Sequence, residues 1–160
     1  WEKFALWDLT TRVPFFVHAP GVSRDGATTR QPTTLTDIYP TLCELAGLPV
    51  PELCTGVSLV SQLKNPNAPR DRMALTAFQF WNEKTPSLAV ADSRYRFIRY
   101  GDGFEELYDL EKDPHEFKNL IADPRLAKVK MRLANALPKK VTPIQKIPQD
   151  SPFHRGRKRN

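Results

Sequence analysis

The sequence predicts an α/β protein in which part of a larger α/β sheet precedes a small antiparallel β-sheet with one covering helix. Three observations predict this class. A continuous apolar run at 13–17 is followed by an amphipathic segment at 35–46, as in a strand and its returning helix. Short strand-like segments, some flanking Gly101-Asp102-Gly103, then occupy residues 73–110. A last apolar stripe at helical spacing lies within 126–137.

The first unit is predicted to contain a buried strand and a helix. Residues 12–19 contain an apolar run without alternation, as in a strand covered on both faces of a parallel sheet. The helix over 35–46 is expected to be capped by Thr36 or Asp37. Pro40 then lies near its first turn, where a missing amide donor is tolerated. A strand followed by a returning helix is the repeat of a doubly wound sheet.

The second unit is predicted to be an antiparallel sheet with one covering helix. Its strands are expected at 73–80, 88–91, 95–100 and 105–110. Gly101-Asp102-Gly103 joins the last two, because glycine supplies the positive φ that a tight hairpin needs. A helix is expected from Asp123-Pro124 to Pro138. The stripe that would cover the sheet is Leu126, Val129, Leu133 and Leu137.

These units divide the chain into three predicted parts. Residues 1–64 are the strand and helix unit, 65–138 are the small sheet and helix subdomain, and 139–160 are a basic tail. A proline- and asparagine-rich stretch at 64–70 separates the first two. The basic residues at 154–159 fit either a solvated tail or a contact with a polyanion.

Composition excludes several classes of protein. The chain has 160 residues, of which 40% are hydrophobic and 26% charged, and its net charge is +6. No apolar run approaches membrane-spanning length, so neither a transmembrane helix nor a membrane partner is expected. The basic residues lack interleaved aromatics and a nucleic-acid-binding motif, so no nucleic-acid partner is expected. Two cysteines do not make a disulfide framework, and Cys43 is predicted to pack as a small apolar residue.

Few polar residues form a pattern that indicates chemistry by itself. His18, His115 and His154 lack metal-ligand spacing, and His115 reads as a turn residue. The paired carboxylates Glu105-Glu106 would point to opposite faces of a strand and so would not form an acid–base pair. Arg12 is predicted to make a structural salt bridge at the start of the first strand.

Three segments, however, resemble type I sulfatases in family order. Residues 1–21 are similar to the run "WxKxxLWExxTRVPxxxxxPG", residues 36–49 to "DxxPTLxxLAGLP", and residues 104–120 to "ELYDLxxDPxExxNL". The resemblance covers positions 1 to 124 and implies the C-terminal part of an alkaline-phosphatase-like fold. In that fold, residues 1–64 would be the C-terminal portion of the large α/β domain. One departure concerns the cationic "NHAVR" run of close relatives, which is replaced by Leu88-Ala89-Val90-Ala91, with Asn82 a little upstream.

The resemblance implies one catalytic residue in this chain, Lys3. The lysine of "WxK" contacts the sulfate group in such enzymes, and an ammonium suits the charge that develops on the leaving oxygen. The metal-ligand motif "DHG" and the nucleophile motif "C-x-P-S-R" are not present, since neither Cys43 nor Cys54 has that context. The formylglycine and the divalent metal, usually calcium, are therefore expected outside this chain.

The expected function is hydrolysis of a sulfate ester of a carbohydrate or glycosaminoglycan by the full-length protein. Within the family, the segment around Lys3 is most similar to iduronate-2-sulfatase-like enzymes, and the family implies a periplasmic, extracellular or lysosomal location. Two alternatives stay open. One is another hydrolase of the alkaline phosphatase superfamily, such as a phosphodiesterase or phosphonate hydrolase. The other is a non-catalytic module that binds polyanions through residues 154–159.

Overall fold

The computed structural model describes residues 5–79 and 85–141 of the chain. The α-helices are α1 (Asp8–Thr11), α2 (Ile38–Leu45), α3 (Val60–Lys64) and α4 (Ala127–Ala136). Short 3₁₀ turns at Leu35–Asp37 and Pro124–Leu126 lead into α2 and α4. The strands are β1 (Ala74–Phe78), β2 (Ser87–Ala91), β3 (Tyr95–Arg99) and β4 (Glu105–Asp109).

The four strands form one antiparallel meander in the order β1-β2-β3-β4. Tyr95 lies opposite Asp109, and Arg99 lies opposite Glu105, in the pair β3–β4. Gly103 adopts a φ of 91° in the turn that joins these strands, which only glycine adopts without strain. The predicted strands and hairpin are therefore confirmed, with ends that differ by one or two residues.

One face of the sheet packs against α4 and forms the main core. The buried side chains of this core are Leu88, Val90, Phe97, Leu107, Leu133 and Leu137. Asp123 caps the helical segment, since its Oδ1 accepts the Arg125 amide at 3.0 Å, and Pro124 occupies the first position. The predicted covering helix and its apolar stripe are thus confirmed.

Strand β2 is buried along its whole length, on both faces. Leu88 and Val90 face α4, whereas Ala89 belongs to a second cluster on the opposite face. This double coverage explains why the sequence of β2 is a continuous apolar run rather than an alternating one.

The strand predicted over residues 12–19 is not formed, and that prediction is wrong for this chain. The segment has no strand hydrogen bonds, and Val13 and Phe16 are 57% and 89% exposed. A parallel strand obtains its hydrogen bonds only from neighbouring strands, and no described strand lies beside this segment. The same apolar run therefore stays extended without becoming part of a sheet.

The helix predicted over 35–46 is confirmed, but its cap and buried face differ from expectation. The helical segment begins with the 3₁₀ turn, where Thr34 is the cap residue in a capping box with Asp37. Asp37 directly precedes α2, as expected, but its side chain makes no capping hydrogen bond to that helix. The side buried in this chain carries Pro40, Thr41 and Cys43. The predicted apolar stripe is largely exposed, and its exposed members are Leu35, Tyr39 and Leu42.

Both cysteines carry free thiols, and Cys43 is buried as predicted. Within the ranges that the structure describes, no helix has the length and apolarity needed to cross a bilayer. The division at residues 64 and 138 stays a prediction.

Candidate functional site: the docked N-terminal segment

The segment Leu6–Asp8 lies across the face of the sheet opposite α4. Leu6 is 1% exposed and packs in a buried cluster with Ala89, Ile98 and Tyr108. These partners come from three different strands. Leu6 therefore fixes the end of the sulfatase-like "WxKxxLW" segment onto the centre of the sheet.

Arg96 on β3 joins this segment to the sheet through charged hydrogen bonds. Its Nη1 donates to the Leu6 carbonyl oxygen at 3.1 Å, and its Nη2 donates to Asp8 Oδ1 at 2.7 Å. The guanidinium of Arg96 also forms an ion pair with Glu116. Its Nε lies 3.2 Å from Glu116 Oε1, although the two atoms are not aligned as a hydrogen bond. A planar guanidinium suits this arrangement because it presents several donors in fixed directions.

Glu116 holds the segment from the loop that follows β4. Its Oε2 accepts the backbone amide of Asp8 at 2.6 Å. Burial raises the pKa of Glu116 to about 7, as do the nearby Asp8 and Glu106, although the Asp8 amide and Arg96 act in the opposite direction.

A second carboxylate, Glu106, holds the neighbouring indole. Glu106 Oε2 accepts from Trp7 Nε1 and from the Tyr100 hydroxyl, each at 3.0 Å. Burial, together with the charge of Glu106, raises the pKa of Tyr100 and of Tyr108 well above the usual range. Both phenols therefore stay protonated and serve as donors and packing groups.

The motif "DPxExxNL" in residues 113–120 has a structural role here. Asp113 Oδ2 accepts the Lys118 amide at 2.8 Å and closes the turn that presents Glu116. Asn119 Oδ1 accepts the Leu107 amide at 3.0 Å, so this backbone amide of β4 is hydrogen-bonded to the loop that follows the strand. His115 lies in this turn, as predicted. The most recognisable motif of the chain thus links β4 to the docked segment.

Lys3, the predicted catalytic residue, lies outside the described residues, as does Asn82. The described part of the motif begins at Ala5, directly before the anchored Leu6. Lys3 precedes Leu6 by three positions in the sequence. Its contact with a sulfate group stays a prediction.

The other sequence candidates do not converge on a reaction centre. Arg12 makes an exposed pair with Asp8 at 3.4 Å, which is a salt bridge as predicted, although no strand follows it. Glu105 faces Arg99 and Lys130 on the α4 side, whereas Glu106 faces Trp7, so the two carboxylates lie on opposite faces as expected. Among the described residues, no three His, Cys, Asp or Glu side chains are grouped as metal ligands.

A second polar centre surrounds Asp37, whose side chain is fully buried. It accepts the amides of Thr34 and Val57, each at 2.8 Å, and pairs with Arg70 Nη2 at 2.8 Å. Burial alone would raise the pKa of Asp37, but these amides and the charges of Arg70 and Arg72 outweigh it, so its pKa lies below 3.8. This centre joins three loops. The guanidinium of Arg70 is buried and paired with Asp37, so it does not face the solvent as a ligand-binding group.

His18 lines a pocket of about 280 Å³ between the extended segment and α2. The remaining lining residues are Phe15, Phe16, Val17, Ile38, Thr41 and Leu42. Since none of them is charged, the pocket offers His18 no partner for acid–base or metal chemistry.

Sequence reasoning did not identify Asp8, Arg96 and Glu116 as a linked group. Glu116 stands in a motif that it shares with the family, which was a usable signal. Asp8 and Arg96 are separated by 88 residues, and their pairing depends on the sheet that brings them together.

Comparisons with known proteins agree with this architecture. Residues 1–142 match the family described as "N-sulphoglucosamine sulphohydrolase, C-terminal". A Delta 4,5-hexuronate-2-O-sulfatase of Bacteroides thetaiotaomicron is 35% identical over 138 residues, which cover 80% of this chain and 28% of the relative. The chain thus spans little more than a quarter of that relative's length.

Solved structures share the fold. A structure described as a 2-O GAG sulfatase is similar with a TM-score of 0.53 and 34% identity, over 62% of this chain and 22% of that one. A phosphonate monoester hydrolase from Silicibacter pomeroyi has a TM-score of 0.57 at 24% identity, over 74% of this chain and 26% of that one, and shows the fold alone. The fold is therefore that of the C-terminal part of alkaline-phosphatase-like sulfatases. The family match covers residues 1–142 of the 160 residues. The chain therefore belongs to the sulfatases, in the family described as "N-sulphoglucosamine sulphohydrolase, C-terminal".

Proposed function

We propose that the complete protein containing this chain is a sulfatase that hydrolyses a sulfate ester of a carbohydrate. The single observation that carries the proposal is the docking of Leu6 and Trp7, the described end of the "WxKxxLW" motif, on the sheet. Leu6, Trp7 and Asp8 are each held by residues of the C-terminal sheet or of the loop that follows it. The described end of the family motif that contains Lys3 therefore packs together with the motif that contains Glu116.

Lys3 is proposed to contact the sulfate group of the substrate. Its ammonium would neutralise the sulfate oxygens and stabilise the negative charge that grows on the leaving oxygen as the S–O bond breaks. A fixed cation contributes most when it needs no reorganisation during the reaction. Anchoring of the following residues would meet that requirement.

The metal and the formylglycine of sulfatases would have to come from parts of the protein beyond this chain. The described residues include no ligand group for a metal. Neither Cys43 nor Cys54 stands in the nucleophile motif. When bound, a divalent metal such as calcium would polarise the sulfate. The proposed contribution of this chain is the Lys3 ammonium, which would bind the sulfate group and stabilise the charge on the leaving oxygen.

The substrate class is proposed to be a sulfated sugar, with an iduronate-2-sulfatase-like enzyme as the finer hypothesis. Support comes from the 35% identity to a hexuronate-2-O-sulfatase and from the fold shared with a 2-O GAG sulfatase. A periplasmic, extracellular or lysosomal location, where such polymers occur, belongs to the same proposal. The basic residues 154–159 lie outside the described residues and support neither this reading nor the polyanion-binding alternative.

The test is hydrolysis by the purified complete protein. Kinetics with an aryl sulfate, a 2-O-sulfated unsaturated disaccharide and an aryl phosphonate monoester should give the highest kcat/KM on a sulfate ester. A higher kcat/KM on the phosphonate would support the alternative hydrolase instead. The isolated 160-residue chain serves as the control and should show no turnover, because it lacks the nucleophile and the metal ligands.

A further inference from the structure

Two neighbouring buried side chains, Arg96 and Glu116, hold the segment Leu6–Asp8 on the sheet. Arg96 on β3 contacts the Leu6 carbonyl and the Asp8 carboxylate, and Glu116 accepts the Asp8 amide. Their contacts cross 90, 88 and 108 residues of sequence. Such contacts are not needed to form the strands themselves, whose ladders are complete without them.

The burial of this pair distinguishes it from an ordinary surface ion pair. The side chains of Arg96 and Glu116 are 7% and 3% exposed. By contrast, Arg99 on the same strand is 42% exposed in its pair with Glu105. Buried polar groups are costly unless they are hydrogen-bonded, and the partners that these two side chains find are the Leu6 carbonyl and the carboxylate and amide of Asp8.

The backbone of Glu116 supports the same conclusion. It has a φ of 57°, the one positive value found for a non-glycine residue in the described ranges. The turn at Asp113 holds it there, since the Glu116 amide donates to the Asp113 carbonyl oxygen at 3.1 Å. Strained backbone of this kind persists where the surrounding structure fixes it, and it is common at functional sites.

We propose that Arg96 and Glu116 are positioning residues of the enzyme: they hold Leu6–Asp8 on the sheet and thereby place Lys3 at the sulfate group. This inference rests on the proposed function. Neither residue is required to touch the substrate. Their effect on turnover passes through Lys3, because a small displacement of a reacting group lowers its contribution strongly.

The kinetic test uses a double-mutant cycle in the complete protein. Glu116→Gln and Arg96→Lys, each measured on a sulfate ester, should lower kcat by roughly 10- to 100-fold. In the Lys3→Ala background the same substitutions should have almost no further effect, because the group that they position is already absent. Arg99→Gln, which disrupts the ion pair on the opposite face of β3, should leave kcat unchanged.

A structural measurement in the same proteins follows the segment directly. The Asp8 amide donates to Glu116, so hydrogen–deuterium exchange of the peptide covering residues 5–12 should accelerate in Glu116→Gln and in Arg96→Lys. It should not change in Arg99→Gln. If Glu116→Gln does not fold, Arg96→Lys decides the test, because it keeps the buried positive charge and loses the fork that reaches both Leu6 and Asp8.

Three results would overturn the proposal. These are unchanged kcat, an equal loss of kcat in the Lys3→Ala background, and unchanged exchange of residues 5–12. Absence of sulfate-ester turnover by the wild-type enzyme would instead overturn the proposed function. The exchange experiment would then decide alone whether Arg96 and Glu116 hold the segment.

Discussion

The guanidinium of Arg96 lies 2.7 Å from the carboxylate of Asp8, although 88 residues separate them in the sequence. This contact joins the first described segment of the chain to the middle of the antiparallel sheet. Together with the packing of Leu6 against β3 and β4, it fixes Leu6–Asp8 on the antiparallel sheet. A change in the loop after β4 can therefore affect residues near the start of the chain.

Leu133→Ala should destabilise the chain by about 2–5 kcal/mol, because it leaves a cavity between α4 and the sheet. Leu133 is fully buried in the main core. Met131→Ala, on the same helix but 60% exposed, is the matched control and should change the free energy of unfolding by less than about 0.5 kcal/mol. Urea denaturation measures both, and equal effects would show that α4 does not cover the sheet as described.

Asp37→Asn should destabilise the chain by roughly 3–5 kcal/mol at pH 7, because it leaves Arg70 buried without its counter-charge. Asp71→Asn, at an exposed position, is the control and should be nearly neutral. The pKa of Asp37 is lowered in the folded chain. The stabilisation by its carboxylate is therefore fully present above the ordinary pKa of aspartate and is lost as the pH falls through the lower pKa of the folded chain. A wild-type-like unfolding midpoint for Asp37→Asn would contradict the buried-pair description.

The free energy of unfolding should fall as the pH rises from 4.5 through about 7, because of the carboxyl group of Glu116. Its pKa is raised from 4.5 to about 7, so the folded chain keeps a proton that the unfolded chain releases in this range. The shift corresponds to at most about 3 kcal/mol, with Arg96 and Asp8 as the nearest charged groups. Relative to Glu116→Gln, the wild type should therefore lose stability between pH 4.5 and pH 8. Denaturation curves at both pH values measure this, and a relative gain would mean that pairing with Arg96 keeps the carboxylate ionised throughout.

The antiparallel sheet could be predicted from sequence because its signals are local. The short strand segments β2, β3 and β4 are separated by turn residues, and Asp123-Pro124 marks the start of the α4 segment. Each of these features acts within a few residues, so one sequence contains all the information that is needed.

The strand expected over 12–19 is not formed, because its formation depends on distant parts of a sheet and not on local signals. Its apolar composition is compatible with a buried strand, but strand formation depends on neighbours that the described residues do not supply. The linked group Asp8, Arg96 and Glu116 was likewise beyond sequence reasoning, since its members are far apart in the sequence and meet only when the first segment packs on the sheet. Lys3 could be named only from the family motif, because one lysine carries no signal by itself.

Kinetics of Lys3→Ala in the complete protein test the central claim most directly. Lys128→Ala, which removes an exposed lysine on α4, is the matched control and should leave both kcat and KM unchanged. If Lys3 balances the charge of the breaking S–O bond, Lys3→Ala should lower kcat for a sulfate ester by on the order of 10²-fold or more, with an unaltered unfolding temperature. Wild-type kcat and KM in a folded Lys3→Ala enzyme would contradict the claim and leave this chain without a catalytic residue.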